Sequence, residues 1–323
     1  MKSRIIYILK KAQGFVSGQE ISRELGLSRA AVWKHVAELR LCGYMIKSLP
    51  RKGYSLEESP DKLYSWEVQP ELRTKCFGRS IVHEEAVGST MDLAARYADN
   101  GAEHGSLFCA EAQTKGRGRL GRQWCSPNGE GIYASLLLRP GIPLIDSPKM
   151  VFVAGVALCD AVSSLTGLDV HIKWPNDLLL GTKKLAGILT ELRVESGRIE
   201  RLIIGVGMNV NTPKKELPPQ ATSLFAESGK KYSRVRILSD FLFCCEQRYE
   251  RVLKEGFDPL LLDWKKRCRL WGERVVVEMD QASLQGVVTD LASDGGLMIK
   301  MDNGQDKKIV TGDILRLRKS HGN

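Results

Sequence analysis

Gln113-Thr114-Lys115-Gly116-Arg117-Gly118-Arg119-Leu120-Gly121-Arg122-Gln123-Trp124 is the stretch on which the reading of the fold turns. It contains a formal G-x-G-x-x-G, from Gly116 to Gly121, which invites a dinucleotide-binding interpretation. That fingerprint needs its last glycine to open a helix and an acid roughly 20 residues further on. Here the chain continues Cys125-Ser126-Pro127-Asn128-Gly129-Glu130-Gly131, which is turn chemistry, and residues 136–141 carry no acid. The Rossmann reading therefore fails, and no G-x-x-x-x-G-K-[ST] occurs elsewhere to support a P-loop. What remains is a glycine-rich loop carrying Arg117, Arg119 and Arg122. Its glycines let the backbone approach a ligand, and its guanidinium groups suit phosphate or carboxylate. Taken alone, a mobile basic surface loop is the plainer alternative.

Working outward, the loop lies in a stretch, 65–252, where strand-like runs alternate with helix-like ones. The strands are Leu107 to Ala110, Ile132 to Leu138 and Leu202 to Val206; the helices are Met91 to Asp99 and Lys149 to Thr166. This predicts an α/β or α+β domain of catalytic size. Upstream, Ile5, Ile8 and Leu9, then Ile21 and Leu25, then Val32, Val36 and Leu39 recur at helical spacing. Leu25-Gly26-Leu27-Ser28 supplies a turn glycine and an N-cap for a helix from Arg29 to about Leu41. Met45 to Leu56 then reads as two short strands around a basic turn. A winged helix-turn-helix is predicted. Ser28, Arg29, Ala30, Trp33 and Lys34 are the candidates to enter a DNA major groove, and Arg51 and Lys52 the candidates to touch its backbone. Trp33 could equally pack on its own domain, and the plainer reading of the surface is a solvated face or a protein-protein module.

Downstream, a helix-like stretch from Ser239 to Leu253 leads through Phe257-Asp258-Pro259-Leu260 to Trp271-Gly272-Glu273-Arg274. Short runs follow at Val275 to Met279, Gly286 to Leu291, Gly296 to Met301 and Lys307 to Val310, separated by turns such as Asp302-Asn303-Gly304. They predict a small SH3-like β-barrel with no catalytic group of its own.

With 323 residues the chain has room for two domains, or three if the ends are small. Apolar residues at 43% and charged residues at 27% exclude the disordered and collagen-like classes. Apolar runs such as Val151 to Cys159 meet a charge well before the ~18 residues of a membrane helix, so no span is expected. The first ten residues offer no cleavage site for a secretory signal, so the expected location is the cytoplasm. Eight cysteines form no C-x-x-C pair and five histidines no H-E-x-x-H, so reduced thiols and no metal fixed by protein ligands are expected. Lys and Arg number 48 against 38 acids, a net charge of +10. Residues 1–58 hold eleven of those bases and five of the acids, which points the N-terminal segment at an anionic partner.

Three further motifs follow the arginine loop in order: Lys173-Trp174-Pro175-Asn176-Asp177, then Lys183-Lys184-Leu185-Ala186-Gly187-Ile188-Leu189, then Gly205-Val206-Gly207-Met208-Asn209-Val210-Asn211. Ser89-Thr90 precedes the loop. Together they resemble the biotin protein ligases. With a winged helix in front, the whole chain resembles the bifunctional type that is both ligase and repressor of biotin synthesis genes. The resemblance implies an α+β multidomain chain: a winged helix at 1–64, a mixed α/β ligase domain of class II synthetase type at 65–270, and an SH3-like barrel at 271–323. It implies ATP with Mg²⁺ as cosubstrate, biotin as substrate and biotinyl-5′-AMP as intermediate and corepressor. The implied partners are the biotin carboxyl carrier domain of acetyl-CoA carboxylase or another biotin-dependent carboxylase, operator DNA, and a second copy of the chain once the adenylate is bound.

The first step of that reaction brings a carboxylate onto the α-phosphate of ATP, so cationic clamps should matter more than a general base. By resemblance, Lys184 lies beside the biotin carboxylate and α-phosphate, while Arg119, with Arg117 and Arg122, covers the anhydride and triphosphate. Ser89, Thr90 and Gln113 match the positions that hydrogen-bond the ureido ring, and the backbone of Arg117, Gly118 and Arg119 joins that wall. Asn176 and Asn209 match the adenylate side, Trp124 packs against it, and Lys173 lies near the phosphates. Asp177 is the candidate to orient or deprotonate the incoming lysine; an Asp after Pro-Asn can also cap a turn. The family often has Asn after Ser-Thr, whereas Met91 stands here, so no contact is assigned to side chain 91. No aromatic matches an adenine-stacking position. For Gly205 and Gly207 the plainer alternative, service at a strand end, stays open, and Lys183 reads as facing solvent rather than as catalytic.

Two rival functions remain at this level. One is a regulator whose ligase fold only senses biotin; intact Arg119, Lys184 and Asp177 argue against it. The other is a ligase for lipoate or another fatty acyl group; the attached winged helix and the G-R-G-R loop favour biotin.

Overall fold

The computed structural model describes residues 1–12, 14–279 and 282–316. The last residues of the third expected domain, 317–323, lie outside that range. The chain divides into two compact units, 1–67 and 68–323.

In the first unit the three apolar clusters become helices α1 (Lys2–Ala12), α2 (Gly18–Leu25) and α3 (Arg29–Leu41). Ile5, Ile8, Leu9, Ile21, Leu25, Val32, Val36 and Leu39 meet in one buried cluster, as the helical spacing predicts. Gly26 ends α2 in the left-handed conformation at φ 65°, and Ser28 caps α3 by accepting a hydrogen bond from the Ala31 amide at 3.1 Å. Strands β1 (Met45–Leu49) and β2 (Gly53–Glu58) pair antiparallel with Leu49 opposite Gly53, which leaves Pro50, Arg51 and Lys52 as the tip of the wing. Gly53, at φ 101°, is required there, because a Cβ would lie 2.0 Å from the Val16 carbonyl oxygen. The short helix α4 (Ser65–Val68) spans the boundary between the units.

The second unit is built on a seven-stranded mixed sheet. Its strands are β3 (Ile81–Val87), β4 (Leu107–Gln113), β5 (Gly131–Leu138), β6 (Val170–Lys173), β7 (Asp177–Leu180), β8 (Lys183–Glu195) and β9 (Arg198–Asn209). They lie in the order β3-β4-β5-β9-β8-β7-β6, with only β3 and β4 parallel. Side chains alternate across a sheet, so its two faces can be told apart. Gly187 pairs with Gly207 and Leu189 with Gly205, placing these four on one face; Ile188 and Val206 face the other way. Helix α5 (Thr90–Asp99) reaches the first face through Met91, which sits at Gly205. Helix α6 (Met150–Thr166) covers the second, with Gly155 facing Ile188 and Ile172. By length and composition alone, Leu144–Thr166 could cross a membrane; 61% of its apolar window is buried inside this unit, as a core helix on a sheet should be.

Helices α7 (Leu224–Ser228), α8 (Arg234–Glu255) and α9 (Asp258–Arg267) follow, with α8 and α9 packed on α6. The sequence reading had not singled out α9. Five antiparallel strands complete the unit: β10 (Arg274–Met279), β11 (Ala282–Leu291), β12 (Leu297–Met301), β13 (Asp306–Ile309) and β14 (Asp313–Arg316), ordered β13-β12-β11-β10-β14. Four were expected and β14 was not. The indole N–H of Trp174 donates to the Gly295 carbonyl oxygen at 3.0 Å, and the Phe152 ring of α6 fills the space where a Gly295 side chain would stand. These contacts tie the small sheet to the large one.

Candidate active site

A cavity of about 410 Å³ opens on the face of the large sheet opposite α6, a size suited to a small organic ligand. Ser89, Thr90, Gln113, Arg117, Gly118, Arg119, Arg122, Trp124, Lys173, Asn176, Asp177, Lys184 and Asn209 all line it. Every residue that the sequence reading placed around biotin, the adenylate or the reacting atoms thus reaches one space. Lys183, by contrast, is half-buried and outside the lining.

Two glycines of β9 give the cavity its shape. A Cβ on Gly207 would lie 2.6 Å from the Trp124 indole, and one on Gly205 would lie 2.4 Å from the Met91 sulfur. The G-x-G spacing therefore makes two notches on one face of a strand, about 7 Å apart at ~3.4 Å per residue. Of the two alternatives open for these glycines, strand-end service does not account for them: they lie inside β9, and their missing side chains admit neighbours.

At the Gly205 notch the polar groups are fixed in a chain. The Gln113 Oε1 accepts from the Thr90 amide at 2.8 Å and the Thr90 hydroxyl at 3.2 Å, while its Nε2 donates to Ser126 Oγ at 3.0 Å. Buried Ser135 donates to Thr90 Oγ1 at 2.9 Å, and Ser89 caps α5 by accepting from the Met91 amide. Serving as a cap explains why a Ser-Thr pair opens that helix. At the Gly207 notch stands the charge. Lys184 Nζ is 2.7 Å from Asp177 Oδ1 and 5.5 Å from the Trp124 ring centre, over which it can make a cation–π contact. Asn176 donates to the Ile188 carbonyl oxygen at 2.7 Å, and Asn209 to that of Thr222 at 3.0 Å, so both are pinned by backbone.

The arginine loop divides its labour. Arg117 forms ion pairs with Asp92 at 2.6 Å and Glu191 at 3.0 Å. Burial opposes its charge, but the Asp92 hydrogen bond and the two carboxylates outweigh that and raise its pKa. Its guanidinium is therefore committed to these two acids. Arg119 donates to Asn176 Oδ1 at 3.3 Å, to Thr311 Oγ1 at 3.2 Å and to the Gly312 carbonyl oxygen at 3.4 Å, while Arg122 pairs with Asp313 at 2.5 Å. Asp313, at the head of the unforeseen strand β14, also stands 3.9 Å from Arg119. Asp313, Glu278, Thr182 and Gln220 are among the lining residues that sequence reasoning missed, and Met91, to which it assigned no contact, lines the cavity too. Nothing local marks Asp313, because its partners lie about 190 residues away in the chain. The C-terminal strands, in which the sequence shows no catalytic group, thus bring a carboxylate to the cavity beside the two arginines.

On the first unit, Ser28, Arg29, Ala30, Trp33, Lys34, Arg51 and Lys52 are all exposed. Trp33 is 63% exposed, so it does not pack on its own domain. The Ser28 oxygen is occupied by its cap. Among the described residues no three His, Cys, Asp or Glu side chains are grouped to hold a metal ion.

Comparison with known proteins agrees with this layout. Residues 85–209 match the Biotin/lipoate A/B protein ligase family, residues 2–55 an HTH domain, and residues 271–317 the Biotin protein ligase C terminal domain. The chain is 39% identical to the Bifunctional ligase/repressor BirA of Bacillus spizizenii, over 93% of each protein. It is 30% identical to the protein of the same name from Escherichia coli, over 96% of this chain and 95% of that one. Among solved structures, the biotin protein ligase from Aquifex aeolicus in complex with biotin and ATP superposes with a TM-score of 0.65 at 28% identity, covering 74% of this chain and all of the other.

Proposed function

The chain belongs to the family of bifunctional biotin ligase/repressors, and from that premise we propose how its own residues perform the two activities. The protein is an ATP-dependent biotin protein ligase: it forms biotinyl-5′-AMP and transfers the biotinyl group to a lysine of a biotin carboxyl carrier protein. It is also a biotin-responsive repressor, for which biotinyl-5′-AMP is the corepressor. The observation that carries the site assignment is the single cavity holding fixed hydrogen-bonding groups at one end and a paired lysine at the other.

Ser89, Thr90 and Gln113 hold the ureido ring, which directs the carboxylate along β9 toward Lys184. Lys184 neutralises the carboxylate and the α-phosphate as they meet, which offsets the repulsion of two anions. Asp177 keeps that ammonium in place and, in the second step, orients the incoming carrier lysine. Arg119 and Arg122, aimed by Thr311, Gly312 and Asp313, cover the phosphates and shield the anhydride from water. The backbone of Arg117, Gly118 and Arg119 forms the wall over the ring, Trp124 packs on the adenylate, and Lys173, Asn176 and Asn209 complete its side. Mg²⁺ enters as part of the nucleotide substrate. Transfer to the carboxylase carrier and use of ATP support a cytoplasmic location. For repression, Arg29, Trp33 and Lys34 on α3 read the groove, with Ser28 and Ala30 at its mouth and Arg51 and Lys52 on the backbone. A homodimer favoured by bound adenylate grips an operator of matching two-fold symmetry.

Biotin-dependent ATP/pyrophosphate exchange tests the site. Wild type should exchange only with biotin present, and Lys184→Ala should lose about 100-fold or more, the cost typical of removing one preorganised charge partner. Undiminished exchange in Lys184→Ala would remove the lysine from the reaction.

A further inference from the structure

Met91 is 4% exposed and lines the cavity, yet neither the ligase chemistry nor the hydrogen-bonding chain accounts for it. Its sulfur occupies the space a Gly205 side chain would need. Leu189 pairs with Gly205 on the same face, so methionine, glycine and leucine close one end of the cavity. The other end is marked by the register partners Gly187 and Gly207: a Cβ on Gly187 would lie 3.3 Å from Lys184 Nζ, and both glycines touch Trp124. Between the two ends the strand advances by about 7 Å. On the biotin reading, an acid whose carboxylate meets Lys184 lays its ring toward Met91.

We propose that Met91 and Gly205 act as one steric unit that sets the largest ring the acid pocket admits, making Met91 a specificity-determining residue. The inference rests on the biotin reading of the pocket. Methionine is unbranched and adaptable, so it shapes an apolar end without making a polar demand. Its position is also conditional. With Gly205 occupied by any side chain, the Met91 sulfur must leave its notch, and for a side chain this buried beside a cavity the open direction is into the cavity. Gly205 thus keeps the pocket clear by giving Met91 somewhere else to stand.

The test is steady-state pyrophosphate exchange by the full-length protein and three variants, Met91→Ala, Gly205→Ala and the double variant. The probes are biotin and two analogues enlarged at the ring, biotin sulfone and N-methylbiotin. Gly205→Ala should raise KM for biotin about tenfold, the scale of a one-carbon misfit in an apolar pocket, and leave KM for ATP nearly unchanged. Adding Met91→Ala should restore most of that loss. Met91→Ala alone should raise the kcat/KM of at least one enlarged analogue relative to biotin by about tenfold. Thermal unfolding of each variant separates these effects from misfolding. The proposal is overturned if folded Gly205→Ala leaves KM for biotin unchanged, if the double variant is no better than Gly205→Ala, or if neither analogue gains with Met91→Ala. Absence of biotin-dependent exchange in wild type would instead overturn the reading on which the inference stands.

Discussion

Lys184 and Trp124 meet over two glycines from adjacent strands, and each glycine is there for what it lacks. Gly207→Ala tests this at the scale of one carbon. The new Cβ would lie 2.6 Å from the indole, on a strand paired on both sides and unable to retreat. Overpacking of this kind costs about 1–3 kcal/mol. Thermal melts should record the loss, and exchange activity should fall with it as Trp124 leaves Lys184; a variant with unaltered activity would detach Trp124 from the site. The residue types that carry charge were legible in the sequence, because Lys173 to Asp177, Lys184 and the arginine loop fall in compact motifs. The notch partners were not: Met91 and Gly205 are more than a hundred positions apart, and only the sheet register brings them together. The same distance hid Asp313 from its arginines.

Among elements, the segment after the wing is more firmly attached than its composition suggests. Tyr44, buried on the first unit, donates its hydroxyl to Glu67 at 2.5 Å and accepts from the Trp66 indole at 2.7 Å, while Lys10 reaches Glu67 at 2.7 Å. Burial, then the Glu67 hydrogen bond and charge, push the Tyr44 phenol far above its usual range, so it stays a donor at any physiological pH. A fragment of residues 1–64 lacks both Trp66 and Glu67 and leaves that buried phenol without its partners. It should be about 1–3 kcal/mol less stable than a fragment of residues 1–67 in urea unfolding, the cost of orphaning a buried polar group. Equal midpoints would show that the network adds nothing. Helices α1 to α3 and the wing were legible because their signals are local: periodicity, a cap, a turn glycine. Helix α9 and strand β14 were missed because each depends on packing against α6 or on a ladder with β10 rather than on its own pattern.

At the scale of the whole molecule, one chain carries a cationic pocket and a basic N-terminal head, with 11 bases against 5 acids in residues 1–58 of a chain of net charge +10. The two can be separated by salt. Operator binding should weaken linearly in log–log terms as salt rises, and Lys34→Ala should lower that slope by about 1 while leaving pyrophosphate exchange intact. An unchanged slope would take Lys34 off the DNA. Both activities converge on one intermediate, so the most direct measurement is native mass spectrometry of the protein after incubation with MgATP and biotin, lipoate or octanoate in separate tubes. The account predicts a retained, non-covalent biotinyl-5′-AMP in the biotin sample, absent from Lys184→Ala, and none of the other adenylates. Retention of a lipoyl or octanoyl adenylate instead of the biotinyl one, or of unreacted biotin alone in the presence of MgATP, would contradict it.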